Sequence, residues 1–239
     1  MKKVKTLLLI VLLVITLSSC VVQQALFINQ RGGGESTTNL NVDQFFVDLL
    51  DDFELLAGGS QDKSYLDNSI ENFVNNLRTT DSAYYATSSK VGLNSYLIEF
   101  SFSSFEKLLD ELNEKEKQSI VKIRELALDT TLNINLNIDN YPQLVKMVPF
   151  LAEPNFETFG PLYNEGISED EYLEMVSYIL GEQAPSSIES SIISLQITLP
   201  KNVKRLTNGT KISAKVVRFD IPLIDFLLLA EPIIFQVTW

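Results

Sequence analysis

Between Glu125 and Asp139 apolar and polar side chains alternate. Leu126, Leu128, Leu132, Ile134, Leu136 and Ile138 share one parity, and Glu125, Asp129, Asn133, Asn135, Asn137 and Asp139 share the other. Successive side chains of a strand point to opposite faces, so this run requires a sheet with one dry face and one wet face. A sheet of that kind is covered on one side only. The expected fold class is therefore α+β: an antiparallel sheet covered on one face by amphipathic helices. Val121 and Ile123 fall on the opposite parity, which places a bulge or a separate short element before this strand.

The remaining periodicities supply the partners. Val21 to Asn29 and Ser36 to Val42 read as a hairpin around Arg31-Gly-Gly-Gly34. No Lys-Ser or Lys-Thr follows those glycines, so they read as a flexible turn and not as a phosphate loop. Phe46, Leu49, Leu50, Phe53 and Leu56 recur at helical spacing and end at Gly58-Gly59. Ser64-Tyr-Leu-Asp67 has capping-box form before Leu66, Ile70, Phe73 and Leu77. Ala83 to Lys90 and Tyr96 to Ser103 read as two antiparallel strands running into a helix capped at Ser103-Ser-Phe-Glu106. Pro142 opens a short helix, and Ser168-Glu-Asp-Glu171 caps a longer one that closes at Gly181. A strand at Ile193 to Leu199, a tight hairpin at Thr207-Asn-Gly-Thr210, a short helix after Pro222 and a strand from Ile233 to Trp239 complete the chain.

The chain of 239 residues contains no histidine and one cysteine. Ser-His and Cys-His nucleophilic pairs and imidazole metal ligation are thereby excluded, and no disulfide can form within the chain. Asp51 with Asp52, and Glu169 with Asp170 and Glu171, read as a solvated helix face and as a first helical turn, not as acid/base pairs. Asn133, Asn135, Asn137 and Asp139 offer oxygen ligands along one strand face but lack a calcium-loop pattern, so they read as a wet face. No catalytic residue, metal site or cofactor is expected, and the chain is read as a non-enzyme.

The N-terminus carries an address. Lys2, Lys3 and Lys5 precede an apolar run from Leu7 to Leu17, far shorter than the roughly 20 residues that span a bilayer, and Leu17-Ser-Ser-Cys20 follows. This tetrapeptide resembles the lipobox of bacterial lipoproteins. The resemblance implies removal of residues 1–19, a diacylglyceryl group (with palmitate-type acylation) on Cys20, and a single extracytoplasmic domain, residues 20–239, anchored to the membrane through that lipid. Val21 in place of an aspartate points to the outer membrane of the cell envelope. Residues 1–19 carry three lysines and no acid, so the mature chain has 16 cations against 31 acids, a charge of −15. That balance argues against nucleic acid as a partner.

The C-terminal features, the Asn208-Gly209 turn, Val217-Arg-Phe219, Ile221-Pro-Leu223 and Gln236-Val-Thr-Trp239, are similar to the end of LppM-type bacterial lipoproteins. That resemblance implies an α+β extracytoplasmic domain that binds lipids.

Two stretches stand out as candidate binding surfaces. The loop from Phe150 to Tyr163 is rich in aromatics, and Phe156, Phe159 and Tyr163 are suited to the mouth of an apolar cavity. Between Glu189 and Asp220 there is no acid, and Lys204, Arg205, Lys211 and Lys215 form a basic patch suited to anionic headgroups or an acidic partner. The expected function is non-enzymatic binding of a lipid or other hydrophobic ligand in a groove between helices and sheet. The alternative is a protein-interaction module in envelope assembly, whose partner the sequence does not name.

Overall fold

The computed structural model describes residues 21–56, 64–126, 128–152 and 154–239. The signal segment, Cys20 and the expected helix stop at Gly58-Gly59 lie outside the described residues. In chain order the elements are β1 (Val21–Ile28), β2 (Gly34–Asn41), α1 (Gln44–Leu56), α2 (Tyr65–Thr79), β3 (Ala83–Lys90), β4 (Ser95–Phe102), α3 (Phe105–Leu112), β5 (Val121–Glu125), β6 (Thr130–Leu136) and α4 (Tyr141–Met147). A 3-10 turn (Pro149–Ala152) follows, then α5 (Pro154–Glu157), α6 (Glu169–Leu180), α7 (Ala184–Glu189), β7 (Ile192–Thr198), β8 (Arg205–Thr207), β9 (Thr210–Lys211), β10 (Val216–Pro222), α8 (Leu223–Leu228) and β11 (Ile233–Thr238).

The fold is α+β, and its strands divide into two sheets, one of seven strands in the order β3-β4-β2-β1-β7-β10-β9 and one of four in the order β5-β6-β11-β8. Pairing is antiparallel except between β1 and β7, where Val21 lies opposite Ile192 and Phe27 opposite Thr198 in parallel register. The long run of strands and helices from β2 to α7 that separates β1 from β7 makes that parallel pairing possible, since a hairpin could not.

One face of the large sheet is dry. Leu26, Ile28, Tyr96, Ile98, Phe100, Phe102, Ile197, Val217 and Phe219 are buried, while Gln23, Glu99, Gln196 and Arg218 on the other parity are exposed. The helix α2 closes the dry face with Leu66, Ile70, Val74 and Leu77, and the same core takes Leu132, Leu136, Phe235, Val237 and Trp239 from the small sheet. Each such side chain contributes roughly 1.5–3 kcal/mol by leaving water. A second cluster, Tyr172, Val176, Ala184, Ile188, Ile224 and Leu228, joins α6, α7 and α8.

Four expectations are corrected. The alternating run is not one strand. β5 and β6 form a hairpin, with Leu126 and Leu128 72% and 83% exposed at its turn, which Leu126 N–H closes by donating to Asp129 O at 2.8 Å. Its far end stops where Asn140 intervenes: Asn140 Nδ2 donates to Asn135 O at 2.8 Å and Asn140 Oδ1 accepts from Asn137 N at 2.9 Å, replacing ladder bonds with side-chain bonds.

The Asn208-Gly209 turn does not close a hairpin between paired strands, because β8 pairs with β11 in the small sheet while β9 pairs with β10 in the large one. It is the corner at which the chain changes sheets. The glycine turn is not loose. A Cβ at Gly33 would sit 2.8 Å from Ser103 O, and one at Gly34 would overlap Phe27 O and lie 2.9 Å from the Phe102 ring, so absence of a side chain lets β2 close on its neighbours. Ser64 makes no capping bond. Its hydroxyl donates instead to Asp51 Oδ1 at 3.1 Å, which ties α1 to the start of α2, while Asp67 is drawn to β3 and β4. By contrast, Ser168 and Glu171 form the reciprocal box expected of them.

Candidate functional site

Two clefts lie on the half of the molecule that is level with Val21. The first is the groove between α2 and the sheet, about 430 Å³, floored by Ile70 and Val74 and walled by Asp67, Arg78, Ser88, Lys90 and Tyr96. Polar groups there are committed to one another. Tyr96 O–H donates to Asp67 Oδ1 at 2.6 Å, and Lys90 Nζ contacts both Asp67 oxygens at 3.1 Å. Burial, and then the Asp67 bond, raise the Tyr96 phenol above its ordinary range, so it stays protonated and donating. Arg78 is held by Ala86 O at 3.0 Å and Asn75 Oδ1 at 3.1 Å. This groove is a hydrogen-bonded seam that fastens helix to sheet.

The second cleft, about 440 Å³, is built differently. The last residues of β10 supply Phe219, Ile221 and Pro222, the first turn of α6 and its approach supply Ile167, Ser168 and Glu169, and α8 supplies Asp225 and Leu228. The segment leading into β11 adds Ala230, Glu231, Pro232, Ile233 and Ile234. Strand register explains the location: Ile221 pairs with Ile193 and Pro222 with Ile192, and those two pair with Val22 and Val21. The large sheet ends there, and the small sheet begins a few residues later at Ile233 with α8 between them. The resulting gap has an apolar lining with four carboxylates, Glu169, Asp220, Asp225 and Glu231, at its edges. Of these, Asp220 accepts from Arg218 Nε at 3.0 Å and from the Ser194 hydroxyl.

The aromatics singled out in the sequence line neither cleft. Phe156 packs on Phe150 with ring centroids 4.1 Å apart. Phe159 joins the second hydrophobic cluster, and its carbonyl accepts from Tyr172 O–H at 2.9 Å, so it plugs core. Tyr163 is 63% exposed. Lys204, Arg205, Lys211 and Lys215 are all exposed and lie at the opposite end of β1 from Val21. Lys215 O accepts from Leu199 N, one residue past the Phe27–Thr198 row, and that row is six strand positions, about 20 Å, from Val21. Lys204 Nζ pairs with the Asp129 carboxylate and donates to Leu128 O at 3.0 Å. The bond from Lys204, with the charges of Arg205 and Lys201, lowers the Asp129 carboxyl below its usual value. Sequence reading missed the cleft because its walls come from segments that no single periodicity links. The one local signal is the Ala-Glu-Pro break at 230–232, between α8 and β11.

Among the described residues no cluster of three or more His, Cys, Asp or Glu side chains could hold a metal ion, and no helix is long and apolar enough to cross a membrane. No family model matches the chain, and no curated protein matches it. Among solved structures, the NMR structure of the folded domain of the Mycobacterium tuberculosis LppM protein is similar over 92% of this chain and 89% of that one, at 10% identity and a TM-score of 0.40. At those values the likeness establishes neither family nor ligand.

Proposed function

We propose that the chain is a lipid-anchored, non-enzymatic protein of the bacterial cell envelope that holds a hydrophobic ligand in the cleft between β10, α8 and the start of β11. The observation that carries this reading is the cleft itself. Its volume, about 440 Å³, falls within the range of roughly 300–1,000 Å³ typical of small-molecule sites, and Phe219, Ile221, Leu228 and Ile233 give it an apolar wall. Its position suits a membrane-derived ligand, because the strand row that ends it contains Val21, the residue after the lipobox cysteine. Glu169, Asp225 and Glu231 around the rim repel a phosphate headgroup, Asp220 being paired with Arg218, so the preferred ligand is a neutral or cationic-headed lipid.

Native mass spectrometry of the full chain extracted from bacterial membranes in mild detergent tests this. A stoichiometric neutral or cationic lipid that is lost in Ala230→Trp, where an exposed alanine of the lining is replaced by bulk, supports the reading. An apo mass that gains no added lipid rejects it.

A second reading, a protein-interaction module, is favoured by one observation: the exposed Leu126 and Leu128 sit beside Lys204 at the end of the molecule away from Val21. Apolar tips next to cations suit an acidic protein partner. Crosslinking from Leu128 in intact cells distinguishes this reading, since a protein adduct at the tip together with an empty cleft favours it over the binder.

A further inference from the structure

We infer that the end of the large sheet at Val21 is a bilayer-docking face, with Val91, Leu93 and Ile192 seated in the headgroup region; this rests on the reading of Cys20 as the anchored residue. No spacer separates anchor from fold, because β1 begins at Val21 and consecutive Cα atoms lie only about 3.8 Å apart. A lipid on Cys20 therefore holds this end of the sheet, and no other, at the membrane.

What that end exposes fits the location. Ile192, Val21, Asn41 and Ser95 form one row across four neighbouring strands, about 14 Å wide at the usual interstrand spacing. Ile192 is 42% exposed. The turn joining β3 to β4 begins at the same row, where Val91 N–H donates to Ser95 O at 2.8 Å, and it raises Val91 and Leu93 to 62% and 79% exposure. Large apolar side chains at a loop tip lose free energy in water and gain it at the headgroup boundary.

The polar groups of the row are uncharged and satisfied, Ser95 Oγ donating to Asn41 Oδ1 and Asn94 Nδ2 to Gln44 Oε1, both at 2.7 Å. Lys90, next to the row, is engaged by Asp67. Asp43, whose carboxylate accepts from Phe45 N–H, flanks the row on β2's side and Glu189 on β7's, and beyond Pro222, which pairs with Ile192, lie Asp225 and Glu231 of the cleft. The bilayer contact is therefore made by the apolar tips of Val91, Leu93 and Ile192 and not by charge, with these acids at its edge. The same geometry turns the basic patch away from that bilayer.

The test uses the full chain purified from bacterial membranes and reconstituted into vesicles of phosphatidylethanolamine and phosphatidylglycerol, with a thiol-reactive fluorophore at Leu93→Cys or, separately, at Leu128→Cys. Both positions are exposed, so neither substitution disturbs the core. The expected result is quenching of the Leu93 label by lipid-borne quenchers, roughly three-fold or more above that of the Leu128 label, as an interfacial depth of 5–10 Å requires. Equal quenching, or a Leu93 label as wet as the Leu128 label, overturns the docking face. The unsubstituted chain keeps the two failures apart. A Cys20 that takes no dye shows the anchor in place, so a wet Leu93 label then rejects the docking face alone, whereas dye uptake at Cys20 rejects the anchor reading and the docking face with it.

Discussion

Asn208 donates its side-chain amide to the carbonyl of Ile234 at 3.0 Å, and this bond spans the corner where the chain passes from the small sheet to the large one. Asn208 has a φ of 56°, a left-handed conformation that asparagine tolerates better than most residues. At Gly209 a Cβ would approach the Phe235 ring to 2.9 Å and Arg218 O to 3.1 Å. The Asn-Gly pair is thus used for two separate reasons, backbone angle at the first position and close approach at the second. Asn208→Gly should cost about 0.5–1.5 kcal/mol, the net value of one hydrogen bond. Gly209→Val should cost more, about 2–4 kcal/mol, because β-branching drives atoms into a ring and a carbonyl that are both fixed. Urea midpoints of the two variants check the order, and a larger loss for Asn208→Gly would contradict it.

The glycines of the first turn separate the same two causes more sharply. Gly32 has a φ of +76° with open space around it, whereas Gly34 is flanked by Phe27 O and the Phe102 ring. Gly32→Ala should lose about 1 kcal/mol, the strain of a left-handed alanine. Gly34→Ala should lose about 3 kcal/mol or more, since backbone atoms of β1 must move and their ladder bonds with them. Equal losses in thermal unfolding would show that the turn is held by its angle alone.

Where a pattern is local, it is legible in the sequence. The Ser168–Glu171 box, the α2 stripe of Leu66, Ile70 and Leu77, and the β3–β4 pairing around Gly92 each depend on residues close in the chain, and each stands where its spacing puts it. The sheet partition was not legible. Leu132 and Leu136 have the same parity as Leu126 and Leu128, yet the first two are buried and the last two exposed, because burial is decided by whether distant Val237 and Ile233 lie opposite. Likewise, nothing near Asn208 says that β8 and β9 will find partners in different sheets. The cleft is invisible for the same reason: Ile167, Ile221 and Ile233 meet only after both sheets have formed.

Acid should weaken the junction between α3 and the turn before β3. Ser82, fully buried, donates its N–H to Glu111 Oε2 at 2.8 Å and its hydroxyl to Glu111 Oε1 at 3.0 Å. Burial on its own would raise the Glu111 carboxyl, but the Ser82 bonds and the Lys107 contact outweigh it and the carboxyl lies below its ordinary value. A carboxyl lowered by folding stabilises the native state above its unfolded-state pKa, and that contribution disappears as pH falls through the folded-state value. Stability should therefore fall below about pH 4.5, and Glu111→Gln should flatten that part of the profile while costing about 1–3 kcal/mol at neutral pH. An unchanged acid limb in the variant would assign the loss to other carboxylates.

Alkali should act through Tyr141. Burial, and then the charge of Glu157, push its phenol up to about 12 from an ordinary 10.0. A group whose folded pKa is raised contributes stability that is complete below the unfolded value and is lost as pH climbs toward the folded one. Unfolding free energy should decline between about pH 10 and pH 12, and Tyr141→Phe, which keeps the ring, should remove much of that decline. Absorbance titration of the phenolates during the same series distinguishes this from general alkaline unfolding, because the variant then lacks one late-titrating step.

The rim of the cleft sets a selectivity that charge reversal can invert. Glu231 and Asp225 are exposed lining residues with no part in the hydrophobic clusters, so Glu231→Lys and Asp225→Lys alter the field without removing core. In the native chain Glu169, Asp225 and Glu231 disfavour a phosphate headgroup. Reversing one exchanges a repulsion for an attraction, worth about 1–2 kcal/mol for partly exposed charges at short range in low salt. Binding of an anionic phospholipid should tighten by about five- to thirty-fold in either single variant and further in the double, and the gain should shrink as salt is raised. Uptake of a neutral diacylglycerol should change little, because its apolar chains meet the same Phe219, Ile221 and Leu228 wall. Parallel titrations with the two lipids decide the matter: equal changes for both would place the ligand away from the carboxylates, and no uptake of either would leave the cleft a packing defect between two sheets.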